Sequence, residues 1–330
     1  MKTALLRVLM YHRVTEPASA AGDSASLISA RPADFDRQMR HLAKYYRVVS
    51  AQQVLESLRH ERALPDRAVL ITFDDGYRDF GEVAWPVLRR YRLPATLFVP
   101  TAYPDHPERA FWWDRLAHAL AITCRQSLDH PACGKLALQN RQARDASLRV
   151  LKRLLKAVPH VEAMRLVEEL CQELAGDAPV RGKVLTWREL RELAADGVTV
   201  GAHTQTHPAL TQLPIEHARA EIRGSWADLK REVGTVLPVF AYPFGDHNDV
   251  VAEMVRAEGF EMAVTCSDGY SRIPLTDPVR LRRTNITMRT TPLVFRMRLT
   301  RLGSYLDNIR LAAKGWRRGE KTTVDLVVGS

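Results

Sequence analysis

The residues of this 330-residue chain that could do chemistry gather in three short stretches. The first, Leu70-Ile71-Thr72-Phe73-Asp74-Asp75-Gly76, is an apolar strand pattern that ends in two adjacent carboxylates and a glycine. The glycine permits a turn that could aim both carboxylates into one pocket. Two carboxylates held together are both comfortable only if one binds a cation while the other serves as a base. On its own the stretch also fits a strand-to-helix turn in which Asp75 caps the next helix. The second stretch, Val200-Gly201-Ala202-His203-Thr204-Gln205-Thr206-His207-Pro208, sets two imidazoles four residues apart just past another apolar run. That spacing lets two rings reach one metal, with a carboxylate completing the face and a position left open for water. Joined with Asp75, it gives an expected metal site of Asp75, His203 and His207, for which zinc suits the N2O ligand set and other divalent cations also fit. The third stretch, Val239-Phe240-Ala241-Tyr242-Pro243-Phe244-Gly245, ends a strand in a Pro-aromatic-Gly turn. Backbone amides at such a turn can face a developing oxyanion, and the same pattern also fits a simple tight aromatic turn.

Each stretch lies at the end of an apolar run, and such runs alternate with helical periodicity along the chain. Strands are expected over 5–11, 46–50, 68–73, 95–100, 198–202, 236–242 and 262–265. Helices are expected over 33–44, 54–59, 82–91, 146–157, 161–174, 187–195, 215–232 and 249–257. About seven strand–helix repeats with no Gly-x-Gly-x-x-Gly turn predict an α/β protein built as a distorted (β/α) barrel, with the strand ends facing one cleft. The rhythm stops over about 101–185, where the aromatic run Ala110-Phe111-Trp112-Trp113-Asp114 leads into two charged amphipathic helices. This reads as a helical insertion walling one side of the cleft. Trp112, Trp113, Tyr242 and Phe244 are the aromatics available to line that cleft, and Trp112 and Trp113 fit equally well packed under the insertion helices.

Together the three stretches resemble the polysaccharide deacetylases, the carbohydrate esterases of family 4 that share the NodB homology domain, over roughly residues 5–286. The resemblance implies a distorted (β/α) barrel, metal dependence and hydrolysis of acetyl groups. It makes Asp74 the catalytic base, Asp75, His203 and His207 the metal ligands, and Phe244 the residue whose backbone amide helps to bind the oxyanion. Two features depart from the usual pattern. Ala241 stands where an Arg precedes the Pro of the third motif, and no His follows His247 to supply the usual C-terminal acid. His12, in Tyr11-His12 at the end of the first strand, resembles instead the branch with circularly permuted motifs, as in deacetylases acting on poly-N-acetylglucosamine, where such a His is the acid. The missing Arg is matched by Arg283 in Leu281-Arg282-Arg283-Thr284-Asn285-Ile286, with Arg282 an equal candidate by sequence. The implied reaction is N-deacetylation of a polysaccharide or glycolipid intermediate, of the kind met in exopolysaccharide biosynthesis, with Trp112, Trp113, Tyr242 and Phe244 as the rings available to stack on the sugar faces. O-deacetylation by the same site and a catalytically inactive carbohydrate-binding protein are the alternatives.

The composition excludes several other classes. The net charge of +10 is carried by residues 280–321, which hold twelve basic and two acidic side chains, so the remainder is balanced. A nucleic-acid binder would not segregate its charge so completely. No apolar run reaches the roughly 18 residues of a membrane span. Arg7 interrupts the first apolar run, which reads as a strand and not as a secretion signal, so a cytoplasmic location is expected. The four cysteines form no Cys-x-x-Cys pair and read as buried free thiols. The division expected is a barrel over 1–288 and a basic amphipathic tail over 289–330. Within the tail, apolar residues recur at helical spacing over 292–318, predicting a helix that either docks on the barrel or rests on an anionic membrane surface.

Overall fold

The computed structural model describes residues 4–17, 27–176, 178–274 and 276–300. In chain order it has β1 (Ala4–Tyr11), β2 (Arg13–Val14), β3 (Ile28–Ala30), α1 (Pro32–Tyr45), β4 (Arg47–Val48), α2 (Ala51–Arg59), β5 (Ala68–Phe73), a π-helical turn (Phe80–Ala84) continuing into α3 (Trp85–Arg90), and β6 (Thr96–Val99). The insertion then contributes α4 (Trp112–Ile122), the hairpin β7 (Ser127–His130) and β8 (Gly134–Ala137), α5 (Arg141–Ala157) and α6 (His160–Ala175). After it come α7 (Trp187–Ala195), β9 (Thr199–Ala202), α8 (Ile215–Glu232), β10 (Val239–Ala241), α9 (Asp249–Ala257), β11 (Met262–Val264), β12 (Ser271–Ile273), β13 (Arg283–Asn285) and α10 (Pro292–Arg298).

The main sheet runs β11-β10-β9-β6-β5-β1, with β13 parallel to β1 and β12 antiparallel beside it. A parallel bridge between Val264 and Leu281 brings β11 to the chain that enters β13, so seven parallel strands nearly close on themselves. The barrel is distorted at β5, which pairs with β4 through Ala68 and Val69 and with β6 through Thr72 and Phe73. This is the distorted (β/α) barrel of about seven strands expected from the sequence.

Strand alternation sorts the side chains into two layers. Leu6, Val8, Leu70, Phe98, Val239, Ala241, Met262, Val264 and Leu281 share the barrel interior. Their neighbours Leu9, Tyr11, Ile71, Phe73, Leu97, Val200, Ala202, Phe240 and Tyr242 pack against the helices. Gly201 belongs to the inner set, where a Cβ would meet Phe98 at 2.7 Å and Val239 at 2.8 Å, so no larger residue fits.

Helices α7, α8 and α9 span the residues expected of them. Thr186 and Glu189 close the capping box that starts α7. Elsewhere the structure adds to the expectation. Within the aromatic run at 110–114, Trp112 already opens a further helix, α4, because Trp113, Leu116, Ala117 and Leu120 recur on one buried face. The insertion has its own apolar cluster, in which Leu116 and Leu120 of α4 meet Leu151 of α5 and Leu166 and Leu170 of α6. Strands β2, β3, β12 and β13 have two or three residues each, too few to show periodicity. The cysteines are free, but none is fully buried: Cys124 is exposed and the other three are half-buried. Within the expected tail, α10 docks on the barrel with Phe295 and Leu299 buried and Phe295 edge-on to His41 of α1. The expected helix beyond residue 300 lies outside the described residues. No described helix is long and apolar enough to cross a membrane.

Candidate active site

The two-residue rhythm that buries Leu70 inside the barrel also turns Thr72 and Asp74 inward. Beyond Asp74 the backbone takes positive φ at Asp75 (73°) and Gly76 (66°), and this turn brings the second carboxylate back over the strand ends. On β9 the same alternation leaves Ala202 outside and His203 inside. Thr204 and His207 then adopt positive φ of 62° and 63°, unusual for a β-branched and a ring side chain. That conformation is held locally: Thr204 Oγ1 donates to His203 O at 2.5 Å and accepts from His207 N at 3.0 Å. Glu221 of α8 clamps the loop from outside, accepting from the backbone of Gln205 and Thr206 at 2.8 Å each and from the Thr206 hydroxyl at 2.6 Å. A non-glycine residue at positive φ recurs in the third loop, at Phe244 (58°).

The three loops converge on Asp75, His203 and His207, all buried, whose ligand atoms lie within 4.8 Å of one another. Asp75 Oδ1 faces His207 Nε2 at 3.3 Å and His203 Nε2 at 3.6 Å, and the two Nε2 atoms are 3.1 Å apart. His203 Nδ1 lies 2.7 Å from the carbonyl oxygen of Ala241 on β10. A carbonyl only accepts, so Nδ1 carries a proton and Nε2 is left facing Asp75. Burial pushes His207 toward its neutral form, while Asp75, despite its own burial, is held well below the usual carboxylate range by the two histidines. An ionised carboxylate and two imidazoles converging in a dry pocket fit a divalent cation, and Asp75 Oδ1 is buried without a hydrogen-bond donor of its own.

Beside this cluster Asp74 forms an end-on bidentate pair with Arg283, Nη1 to Oδ1 and Nη2 to Oδ2 at 2.7 Å each, with the guanidinium fully buried. Arg283 Nε also donates to Thr265 O at 2.7 Å, and Nη1 reaches the Thr72 hydroxyl at 3.3 Å. Burial works against the Asp74 charge, but Arg283 outweighs it and holds the carboxylate below its ordinary pKa. Alternation separates the two arginines: Leu281 and Arg283 point inward, Arg283 to Asp74, whereas Arg282 turns away to donate to Asp268 O. His12 is half-buried, its amide donating to Ser29 Oγ at 2.9 Å.

The aromatics need two corrections. Tyr242 is fully buried and unavailable to a sugar, because alternation from Val239 and Ala241 puts it on the helix side, where its hydroxyl donates to Val279 O at 3.0 Å. Trp113 is only 4 % exposed and offers no stacking face. Its ring lies edge-on to His207 at 5.1 Å, its Nε1 donates to Tyr77 Oη at 2.8 Å, and Tyr77 in turn donates to Asp114 at 2.8 Å. Phe244 at 4.7 Å and Phe111 at 5.9 Å complete an aromatic cage around His207. Trp112 and Phe244 remain half-buried. Sequence reasoning missed Tyr77, Asp114 and Glu221. Only Asp114, next to the aromatic run, had a signal within reach.

A family model described as polysaccharide deacetylase matches residues 61–263, more than half of the chain. The chain belongs to the polysaccharide deacetylase family. Among curated proteins, the poly-beta-1,6-N-acetyl-D-glucosamine N-deacetylase of Escherichia coli (strain K12) is 21% identical over 262 residues, covering 71% of this chain and 30% of that protein. The chain therefore spans less than a third of that relative's length. Among solved structures, the Streptococcus pyogenes deacetylase PplD in complex with acetate superposes with a TM-score of 0.61 at 20% identity, over 90% of this chain and 98% of that one. IcaB from Ammonifex degensii superposes with a TM-score of 0.58 at 20% identity, over 90% and 97%. These likenesses establish the shared fold.

Proposed function

We propose that this polysaccharide deacetylase family member hydrolyses the acetyl group of N-acetylated sugars in a polysaccharide or glycolipid intermediate, with a divalent cation, zinc being well suited, held by Asp75, His203 and His207. The observation that carries the proposal is the convergence of those three ligand atoms beside an arginine-paired Asp74 at the mouth of the barrel. When bound, the cation would polarise the acetyl carbonyl and acidify water.

The chain's own residues supply the rest. Asp74, kept ionised by Arg283, takes the proton of the attacking water. Arg283 also fixes the direction of the carboxylate, since both of its oxygens are held at 2.7 Å. The backbone amide of Phe244, displayed by its left-handed turn, donates to the oxygen that becomes negative. His12, from the end of the neighbouring parallel strand β1, gives its proton to the departing amine. The cage of Phe111, Trp113 and Phe244 keeps bulk water off His207 and fixes its ring plane. Trp112 and Phe244 are the rings left to meet the sugar.

The test is acetate release scored across N-acetylated substrates (chitin oligomers, peptidoglycan, poly-N-acetylglucosamine, lipid-linked N-acetyl sugars) and O-acetylated controls. Release from an N-acetylated member, abolished in Asp74→Asn, supports the reading. Release from O-acetyl esters alone would make the protein an esterase, and release from none would leave it a carbohydrate-binding relative.

A further inference from the structure

We propose that the cleft takes an acetylated sugar bearing an anionic substituent, carboxylate or phosphate, which Lys156 of the insertion recognises; this rests on the deacetylase reading above. Lys156 lies in the last turn of α5, on the wall that the insertion adds to the barrel. Its Nζ stands 4.9 Å from the centroid of the Phe244 ring, and that ring is the one packed edge-on to His207. The carbonyl of Lys156 accepts from Gln212 Nε2 at 3.3 Å, which ties this end of α5 to the chain following the His203–His207 loop. On its other side the ammonium is close enough to influence the Cys266 thiol, whose Sγ is 3.9 Å from Nη2 of Arg283. Lys156 thus reaches from the insertion to both halves of the site.

No carboxylate of the site is left to pair with it. Asp74 is held by Arg283, Asp75 faces the two histidines, and Asp114 sits behind Trp113, hydrogen-bonded to Tyr77. Among the described residues Lys156 has no ion-pair partner, and its side chain is exposed, with the ammonium near the Phe244 ring at the lip of the cleft. A neutral N-acetylglucosamine chain would gain nothing from an unpaired cation at the lip. An anion on the adjoining ring or at the anomeric position would pair with it and be oriented by it.

The experiment compares kcat/KM of the metal-loaded protein at low salt on three probes: chitotetraose, an alternating N-acetylglucosamine–glucuronate tetrasaccharide, and N-acetylglucosamine 1-phosphate. The wild type is expected to favour at least one anionic probe over chitotetraose by about five- to tenfold, the size of one partly screened charge pair. The preference should collapse in Lys156→Gln, persist in Lys156→Arg and fade at high salt. Preference for one anionic probe alone assigns the substituent as carboxylate or phosphate. A wild type that hydrolyses chitotetraose as well as the anionic probes, or a Gln variant with an unchanged ratio, overturns this inference and leaves the deacetylase reading standing. Failure to hydrolyse any probe or any N-acetylated polymer overturns both.

Discussion

Arg283→Met removes a fully buried guanidinium while keeping most of its volume. The variant loses two contacts of 2.7 Å to Asp74, one of 2.7 Å to Thr265 O and one of 3.3 Å to Thr72. Asp74 is then a buried carboxylate without its counter-ion, and breaking one side of such a pair costs about 3–5 kcal/mol at neutral pH. The pH dependence follows from the direction of the shift. In the wild type Asp74 sits below its ordinary value, so its stabilising contribution is present above the unfolded pKa of about 3.9 and is lost as pH falls through the lower folded value. In the variant the burial that Arg283 had outweighed raises the folded pKa above its wild-type value, so stability falls relative to wild type as pH rises. The stability gap between the two proteins should therefore widen from pH 3.5 to pH 7. Asp74→Asn introduced into Arg283→Met deletes the stranded charge and should restore about 2 kcal/mol or more. The assay is urea unfolding with chelator present, at several pH values, for wild type, Arg283→Met and the double variant. An Arg283→Met protein within about 1 kcal/mol of wild type, a gap that does not change with pH, or a double variant less stable than the single one would refute the reasoning.

Three further outcomes are expected. His12→Ala should lower kcat for deacetylation by about 10²–10⁴, the usual worth of a positioned proton donor, with acetate release as the measurement; near-wild-type turnover would move the acid role elsewhere. Burial raises Asp114 to about 6, so its ionisation costs stability above the unfolded pKa and nothing below it. Relative to wild type, Asp114→Asn should thus gain up to about 3 kcal/mol between pH 4 and pH 7 in denaturant unfolding, and a constant difference would contradict this. The basic tail is proposed to rest on anionic lipid, supported by exposed Leu293 and Met297 flanking Arg296 on α10. The 330-residue chain should pellet with phosphatidylglycerol vesicles more than a chain ending at Thr300, a cut chosen because Phe295 of α10 and Leu299 just after it are buried in the fold; equal pelleting would remove the idea.

Much of this site was legible because strand ends carry both a hydrophobic signal and a parity. Asp74, Asp75, His203 and His207 each follow a clear apolar run, and the structure brings all four together. The same parity decides the two points that residue type alone left open or misread. Counting in twos from Leu281 selects Arg283 over Arg282, and counting from Val239 sends Tyr242 outward to the helices. The rest was hidden for physical reasons. Glu221 and Tyr77 act through contacts across turns whose geometry depends on left-handed residues, which leave no periodic trace. Trp113 reads, through the resemblance, as a sugar platform, yet its Nε1 hydrogen bond to Tyr77 and its place against His207 bury it. Helix α4 was missed because its apolar face begins inside an aromatic cluster that resembles a loop.

The central claim is that Asp75, His203 and His207 hold a divalent cation on which acetate release depends. Its most direct test is metal analysis of purified wild type and Asp75→Asn, paired with acetate release before chelation, after chelation and after zinc is returned. The account predicts a single metal equivalent in the wild type and a marked loss in the variant, with activity that vanishes on chelation and returns with zinc. Metal bound equally by both proteins, or acetate released at an unchanged rate by the chelated wild type, would contradict it.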